Sequence, residues 1–250
     1  MVASRAASKL VSHCAILRAM AGGLWRSWRA VFVSASVTRV AAPAPMALPE
    51  GPLDAQRYVV FDLETTGLKP SRDDAIVQIG AVLLDAGAEA ARFDLLVNPG
   101  RPIPAASARY HGITDAMVAY APGVAEAVAA FRDFAAGAVL VAHNAAFDLT
   151  ALRAAARRDG APPLANPALC SMLLARWLEP REPDLSLDGL CGRMGLVIDA
   201  RHQALGDARA TAALWMRLLA RASASGVAGL PELAARSRMA DRMEEAAEHF

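Results

Sequence analysis

Residues 58–67 read Tyr-Val-Val-Phe-Asp-Leu-Glu-Thr-Thr-Gly, and no other stretch limits so sharply what this chain can fold into. From Tyr58 to Glu64 the run is apolar apart from its two acids, the pattern of a strand buried on both faces. Side chains alternate along a strand, so Asp62 and Glu64 share one face while Phe61 and Leu63 point into the opposite layer. Two carboxylates therefore stand side by side at the carboxyl end of a central strand, the place where open α/β sheets put their ligands. Like charges that close raise each other's pKa unless a proton or a cation lies between them. A divalent metal answers that need, although an isolated Asp-x-Glu after a strand is ordinarily no more than an acidic turn.

The elements that follow suggest what surrounds this strand. Ala75 to Leu84 and Ala90 to Val97 read as two more strands, with turns at Lys69-Pro70 and Asp85-Ala86-Gly87. A helix is expected from about Pro122 to Ala135 and a fourth strand over Ala138 to His143. The next helix has Asn144 as N-cap and Gly160 at its end. A short strand near Ala168 to Cys170 precedes helices near Met172 to Leu178, Leu187 to Met194 and Asp207 to Arg221. Three meandering strands followed by alternating helices and strands imply a mixed sheet with helices on its faces. Trp177, Trp215, Leu214 and Leu218 sit on helical faces and read as core, and Cys170 and Cys191 as buried small hydrophobes. No internal repeat is present.

Two further acids fall where strands end or helices begin. Asp148, in His143-Asn144-Ala145-Ala146-Phe147-Asp148, lies in the first turn of the helix after the fourth strand, where the helix dipole favours it by about 0.3 to 1 kcal/mol. In His202-Gln203-Ala204-Leu205-Gly206-Asp207, one helix would set His202 and Asp207 about 140° apart. They can serve one site only if His202 lies on the preceding loop and Asp207 opens the helix, with a break near Gly206. Taken alone, Asp148 is ordinary helix-start chemistry and His202 a solvated loop histidine. The conjunction carries the weight, because four carboxylates and a histidine all fall at such ends.

Charge narrows the function. The chain has 26 Lys and Arg against 25 Asp and Glu, but residues before Glu50 hold six of the basic residues and no acid. From Glu50 onward 20 basic face 25 acidic residues. That balance excludes broad wrapping of nucleic acid, which needs a basic face to displace counterions, but not a narrow site whose positive charge comes from metal. Three cysteines, Cys14, Cys170 and Cys191, are too few and too scattered for a disulfide framework or thiolate cage, so a reducing compartment is expected. Arginines interrupt every apolar run before a membrane-spanning length is reached.

The chain divides into an N-terminal extension and linker over 1–53, a catalytic domain over 54–222 and a tail over 223–250 expected to form a short helix. With 250 residues, 55% of them hydrophobic, the middle segment has ample material for one core. The extension, Arg-rich and acid-free, has the composition of an organelle transit peptide. An alternative is a start assigned too far upstream, with Met46 as the true beginning. The corresponding locations are the bacterial cytoplasm or the mitochondrion.

These motifs resemble the DEDD exonucleases in their histidine-bearing branch, and within it the epsilon-type proofreading subunits of bacterial DNA polymerase III. The resemblance runs from about Tyr58 to Leu219. It rests on the 61–67 segment, Gln78-Ile79-Gly80, His111-Gly112-Ile113-Thr114, the 143–148 segment and the 202–207 block. It implies a ribonuclease-H-like fold, an α/β architecture with a five-stranded mixed sheet flanked by helices. Asp62, Glu64, Asp148 and Asp207 match the family's metal-binding acids and His202 its general base. Two ions, magnesium or manganese, are implied: one on Asp62, Glu64 and Asp207, the other on Asp62 with Asp148 acting directly or through water.

The same resemblance implies that backbone groups of Thr65, Thr66 and Gly67 reach the terminal nucleotide, that Asn144 and Phe147 contact its sugar and base, and that His111 lines its site. For Phe147, core packing is an equal alternative. Where epsilon-like relatives often carry an acid five residues before His111, this chain has Ala106. The implied activity is 3′→5′ hydrolysis of single-stranded or frayed ends to nucleoside 5′-monophosphates, with DNA favoured over RNA, in proofreading or repair. A DNA polymerase subunit is a candidate partner and no membrane is. The competing readings are an exoribonuclease of the same superfamily and a polymerase-docking module that uses the segment from Leu230 to Phe250.

Overall fold

The structure is a computed structural model that describes residues 46–70 and 73–250. These fall in the compact unit Ala41–Phe250. The N-terminal readings, transit peptide or misplaced start, and Cys14 concern residues outside the described ones.

In chain order the elements are β1 (Arg57–Thr65), β2 (Ile76–Asp85), β3 (Ala88–Leu96), α1 (Ala105–His111), α2 (Asp115–Val118), α3 (Val124–Phe134), β4 (Val139–Ala142), α4 (Ala145–Arg158), β5 (Ala168–Cys170), α5 (Ser171–Leu178), α6 (Leu187–Arg193), α7 (Ala204–Ala224), α8 (Leu230–Ser237) and α9 (Met239–Ala247). The sheet runs β3-β2-β1-β4-β5. β1 pairs antiparallel with β2 and parallel with β4, β2 antiparallel with β3, and β4 parallel with β5. This is the five-stranded mixed sheet of a ribonuclease-H-like fold, and it puts the strand of Asp62 and Glu64 in the centre.

Alternation along β1 decides what each face meets. Tyr58 packs edge-on against Trp215 of α7, with ring centroids 5.6 Å apart. Phe61 packs on Phe131 of α3, at 5.2 Å. Three residues separate Tyr58 from Phe61, so the two helices lie on opposite faces of the sheet. Asp62 and Glu64 have the parity of Tyr58 and thus point to the α7 side. Full burial of Val59, Val60, Ile79 and Val141 removes apolar surface at about 25 cal/mol per Å², which holds the layers together.

Local chemistry explains the joints. β2 and β3 are linked by Ala86 and Gly87 alone, both at positive φ (47° and 78°), which matches the twist of a tight hairpin. Gly80 pairs with Asp62 across the β1–β2 ladder. A Cβ there would lie 2.1 Å from the backbone of Ala204 and Leu205, so only glycine lets α7 start directly on the sheet.

Three features differ from the sequence expectation. α1 and α2, short and lacking a long apolar period, were not anticipated. Asn144 precedes α4 in the left-handed region (φ 63°), and its side chain makes no capping hydrogen bond. The segment after Gly229 forms two helices instead of one exposed helix, with Leu230, Leu233 and Met239 buried in the main core. Met239 also reaches β5, where its Sδ accepts from the Cys170 N–H at 3.1 Å. At the other end, Leu53 is buried and its carbonyl accepts from the Tyr58 hydroxyl at 2.5 Å.

Candidate active site

At the carboxyl end of β1 and β4 a cleft of about 660 Å³ opens. Asp62, Glu64, Thr65, Gly67, His111, Asn144, Phe147, Asp148, His202 and Asp207 all line it. Asp62, Glu64 and Asp207 can each offer a carboxylate oxygen such that the three atoms lie within 4.8 Å of one another. Asp148 enters from α4 and is buried beside them without joining that group. Thr66 alone of the candidate residues lies off the cleft. Its N–H donates to the Ala75 carbonyl at 2.9 Å, its carbonyl accepts from the Ser107 hydroxyl at 2.7 Å, and its Oγ1 joins Asp74 and the Ala75 N–H. Through these bonds Thr66 ties the β1–β2 connection to α1.

Electrostatics follow from crowding acids into a cleft wall. Burial pushes the Glu64 carboxyl up to about 7, with the Asp207 charge adding to the effect. Asp62 is held well above the usual carboxylate range, first by burial and then by Asp148, Glu64 and Asp207. Asp148 is raised by burial, with backbone groups of Asp148 itself and Leu63 pulling the other way. Asp207 is raised by burial against the opposing pull of Arg201. Its Oδ2 accepts from Arg201 and from the His202 N–H at 3.2 Å, whereas its Oδ1 is buried with no hydrogen-bond partner among the described residues. An orphaned, buried carboxylate oxygen aligned with two more acids fits a hard divalent cation, which takes oxygen ligands. Either protons or such a cation must relieve this cluster.

His202 meets Asp207 by the route that geometry demands. It sits on the loop before α7 in the left-handed region, φ 62°, while Asp207 is in the helix's first turn. Gly206 is not the break, because α7 runs straight through it. Its missing Cβ would lie 2.2 Å from the Ala200 carbonyl oxygen and 2.4 Å from that of Asp199, so glycine lets the loop fold back against the helix. Gln78 fixes the same junction, its Oε1 accepting from the Ala204 N–H at 3.2 Å while its Nε2 donates to Asp94 at 2.8 Å. The His202 imidazole packs against Tyr110, with centroids 4.0 Å apart and the rings tilted by 41°.

Around this centre the other candidates differ in how free they are. His111 ends α1, accepts from the Ile113 N–H on Nδ1 at 3.0 Å, and buries an Nε2 that makes no close hydrogen bond among the described residues and faces the backbone of Thr65. Burial lowers its pKa. The Thr65 hydroxyl is spent on the Gly67 carbonyl at 2.6 Å. Phe147 is not a core residue; its ring meets Phe250 edge-on at 5.3 Å on the cleft wall. Ala106 also lines the cleft, so the position of the missing acid faces the site.

Four contributors escaped the sequence reading. Arg201 pairs with Asp207. Tyr110, 62% exposed, and Leu68, 81% exposed, form apolar rims. His143 joins the end of β4 to α5 and the loop before α6, through Ser171 Oγ at 2.9 Å and the Leu185 carbonyl at 3.0 Å. Its Nε2 therefore carries the proton, and burial depresses its pKa to about 4, which keeps it neutral. Adjacency to His111 and His202 was the only signal in the sequence for Tyr110 and Arg201.

Comparison with known proteins agrees with this geometry. The sequence profile of the exonuclease family RNase T matches residues 59–215. A DNA polymerase III subunit epsilon-like protein of Rhodobacter capsulatus is 52% identical over 185 residues, which cover 72% of this chain and 26% of the relative. A putative bifunctional exonuclease/endonuclease protein of Mycobacterium tuberculosis is 42% identical over 183 residues, 70% of this chain and 28% of the relative. The chain thus spans about a quarter of the length of these curated relatives. Among solved structures, Exonuclease X in complex with 5′-overhanging duplex DNA superposes with a TM-score of 0.57 at 29% identity, covering 73% of this chain and 99% of that one.

Proposed function

We propose, from the premise that this chain belongs to the RNase T exonuclease family, that it is a divalent-metal-dependent 3′→5′ exonuclease releasing nucleoside 5′-monophosphates from DNA ends. The observation that carries this reading is the convergence of Asp62, Glu64 and Asp207 on one point, with a buried Asp207 oxygen that nothing else satisfies. Two magnesium or manganese ions held by Asp62, Glu64, Asp207 and Asp148 would supply Lewis acidity at the phosphoryl oxygens and lower the pKa of a bound water. His202, exposed to the cleft and two residues ahead of α7, takes the proton of the attacking water. Asn144, Phe147 and His111 line the space for the terminal sugar and base, and the exposed rims Leu68 and Tyr110 offer apolar surface to the bases behind it. Thr65 and Gly67 face the nucleotide from the end of β1; Thr66 acts behind them as a clamp.

DNA is the favoured substrate because similar proteins are named for DNA polymerase III and a similar exonuclease was solved with duplex DNA. The polymerase III name supports work beside a DNA polymerase, and from it we infer a role in replication proofreading or repair in the bacterial cytoplasm. No helix of the described residues is long and apolar enough to cross a membrane. A free docking helix at the end of the chain is disfavoured, since α8 and α9 spend their apolar residues on the core.

The test is digestion of 3′-labelled and 5′-labelled single strands, DNA and RNA in parallel, with magnesium, with EDTA, and with Asp62→Ala. Stepwise, EDTA-sensitive release of 5′-monophosphates from 3′ ends is expected, faster on DNA, with turnover at least about 10³-fold lower in Asp62→Ala and an unchanged melting curve. Faster cleavage of RNA would move the assignment to an exoribonuclease. Full activity of Asp62→Ala would refute the metal assignment.

A further inference from the structure

The cleft is lined by four carboxylates, and Arg201 is the one arginine or lysine among the described residues that line it. A phosphodiester entering such a wall meets repulsion, so any fixed cation there has disproportionate weight. Arg201 is held from two sides. Its Nη1 donates to Asp207 Oδ2 and to His202 Nδ1, the latter at 3.3 Å, and its Nε bonds both oxygens of Asp188 on α6, at 3.1 and 3.0 Å. Asp188 does not line the cleft. The third nitrogen, Nη2, makes no hydrogen bond or ion pair among the described residues. The backbone is built around this one side chain: Ala200 and His202 on either side are both left-handed, φ 57° and 62°, a conformation costing about 1 kcal/mol or more per non-glycine residue and often kept at functional sites.

Neutralising Asp207 would need only the Nη1 contact. The second tether to Asp188 instead fixes the plane of the guanidinium and leaves Nη2 uncommitted. Guanidinium groups present donors in a rigid fork suited to phosphate oxygens. We propose that Arg201 contacts the substrate directly, donating from Nη2 to a nonbridging oxygen of the terminal phosphate while Nη1 stays on Asp207. Bound this way, it offsets the carboxylate wall, and its contact strengthens as negative charge builds on the phosphoryl oxygens during attack. The inference rests on the nuclease reading above and adds to it a residue beyond the metal ligands and the general base.

The experiment is calorimetric titration of the full chain, saturated with manganese, with thymidine 5′-monophosphate and with thymidine. Wild type is compared with Arg201→Gln, Arg201→Lys and Asp188→Asn. Arg201→Gln should weaken binding of the monophosphate about tenfold to a hundredfold and leave thymidine unchanged; Arg201→Lys should recover part of the loss. Asp188 lies outside the cleft and Asp188→Asn keeps the Arg201 cation while loosening its tether, so a smaller loss confined to the monophosphate is expected, and this variant serves if Arg201→Gln fails to fold. Equal loss for thymidine and its phosphate, or no loss for either, would overturn the inference and leave the nuclease reading intact. Wild type that takes up neither manganese nor the monophosphate would overturn both.

Discussion

Asp62 and Glu64 come from the centre of the sheet, two residues apart on one strand, whereas His202 and Asp207 come from a loop and a helix, five residues apart and roughly opposed on any regular helix. The strand half is placed by alternation alone; once β1 is central, both acids must face α7. The loop half is placed by packing. It depends on Gly80 letting α7 touch the sheet, on Gly206 letting the loop touch α7, and on left-handed backbone at Ala200 and His202. The halves also differ in charge. Arg201 forms its ion pair with Asp207, while among the described residues Asp62 and Glu64 feel its charge without pairing to it. A catalytic site can thus join a rigid, locally encoded half to one that exists only in the folded molecule.

Within the loop half, the largest effect on turnover should come from His202. His202→Ala is expected to lower kcat about 10²- to 10⁴-fold with KM little changed; single-turnover kinetics would show whether the chemical step has slowed. Weakened affinity with an unchanged chemical step would make His202 a binding residue.

Gly80→Ala separates the halves more directly. The new Cβ must push against backbone of Ala204 and Leu205, so a loss of about 3 kcal/mol in stability is expected, together with displaced His202 and Asp207. Thermal melts and activity measured side by side check it. A variant that melts lower but cleaves normally would show that the α7 junction tolerates movement.

The charge difference is tested by pH. Glu64 titrates near 4.5 when unfolded and about 7 in the fold, so the folded state holds its proton more tightly. Stability from this group is present below about 4.5 and is lost as pH rises through about 7. In EDTA the melting temperature should therefore fall between pH 5 and pH 8, and magnesium should flatten that slope. An equally flat profile in EDTA would mean that Arg201 already neutralises both halves.

The smallest effect belongs to Thr66. Thr66→Val removes the hydroxyl that joins Asp74 and the Ala75 N–H and should cost about 1 to 2 kcal/mol, measured by urea denaturation, with turnover nearly unchanged. A loss of activity larger than the loss of stability would return Thr66 to the nucleotide site.

The sequence by itself determined the sheet. β1, β2, β4 and β5 are dense apolar runs closed by turn residues, and the hairpin at Ala86-Gly87 is locally encoded. Asp62 with Glu64 on one face, and Asp148 at a helix start, follow from period two and from helix polarity, which operate over a few residues. What only the tertiary structure decided lies where the chain meets itself at long range. Thr66 came to lie off the cleft, where Ala75 and Ser107, 9 and 41 residues away, bond to its groups. The last helices became core because Met239 lies beside Cys170. Arg201 entered the site because Asp188 and Asp207 hold it from two different helices. Such contacts leave no periodic trace in the sequence, since hydrogen bonding and charge pairing depend on distance in space, whereas the pattern of a strand or helix depends only on position along the chain.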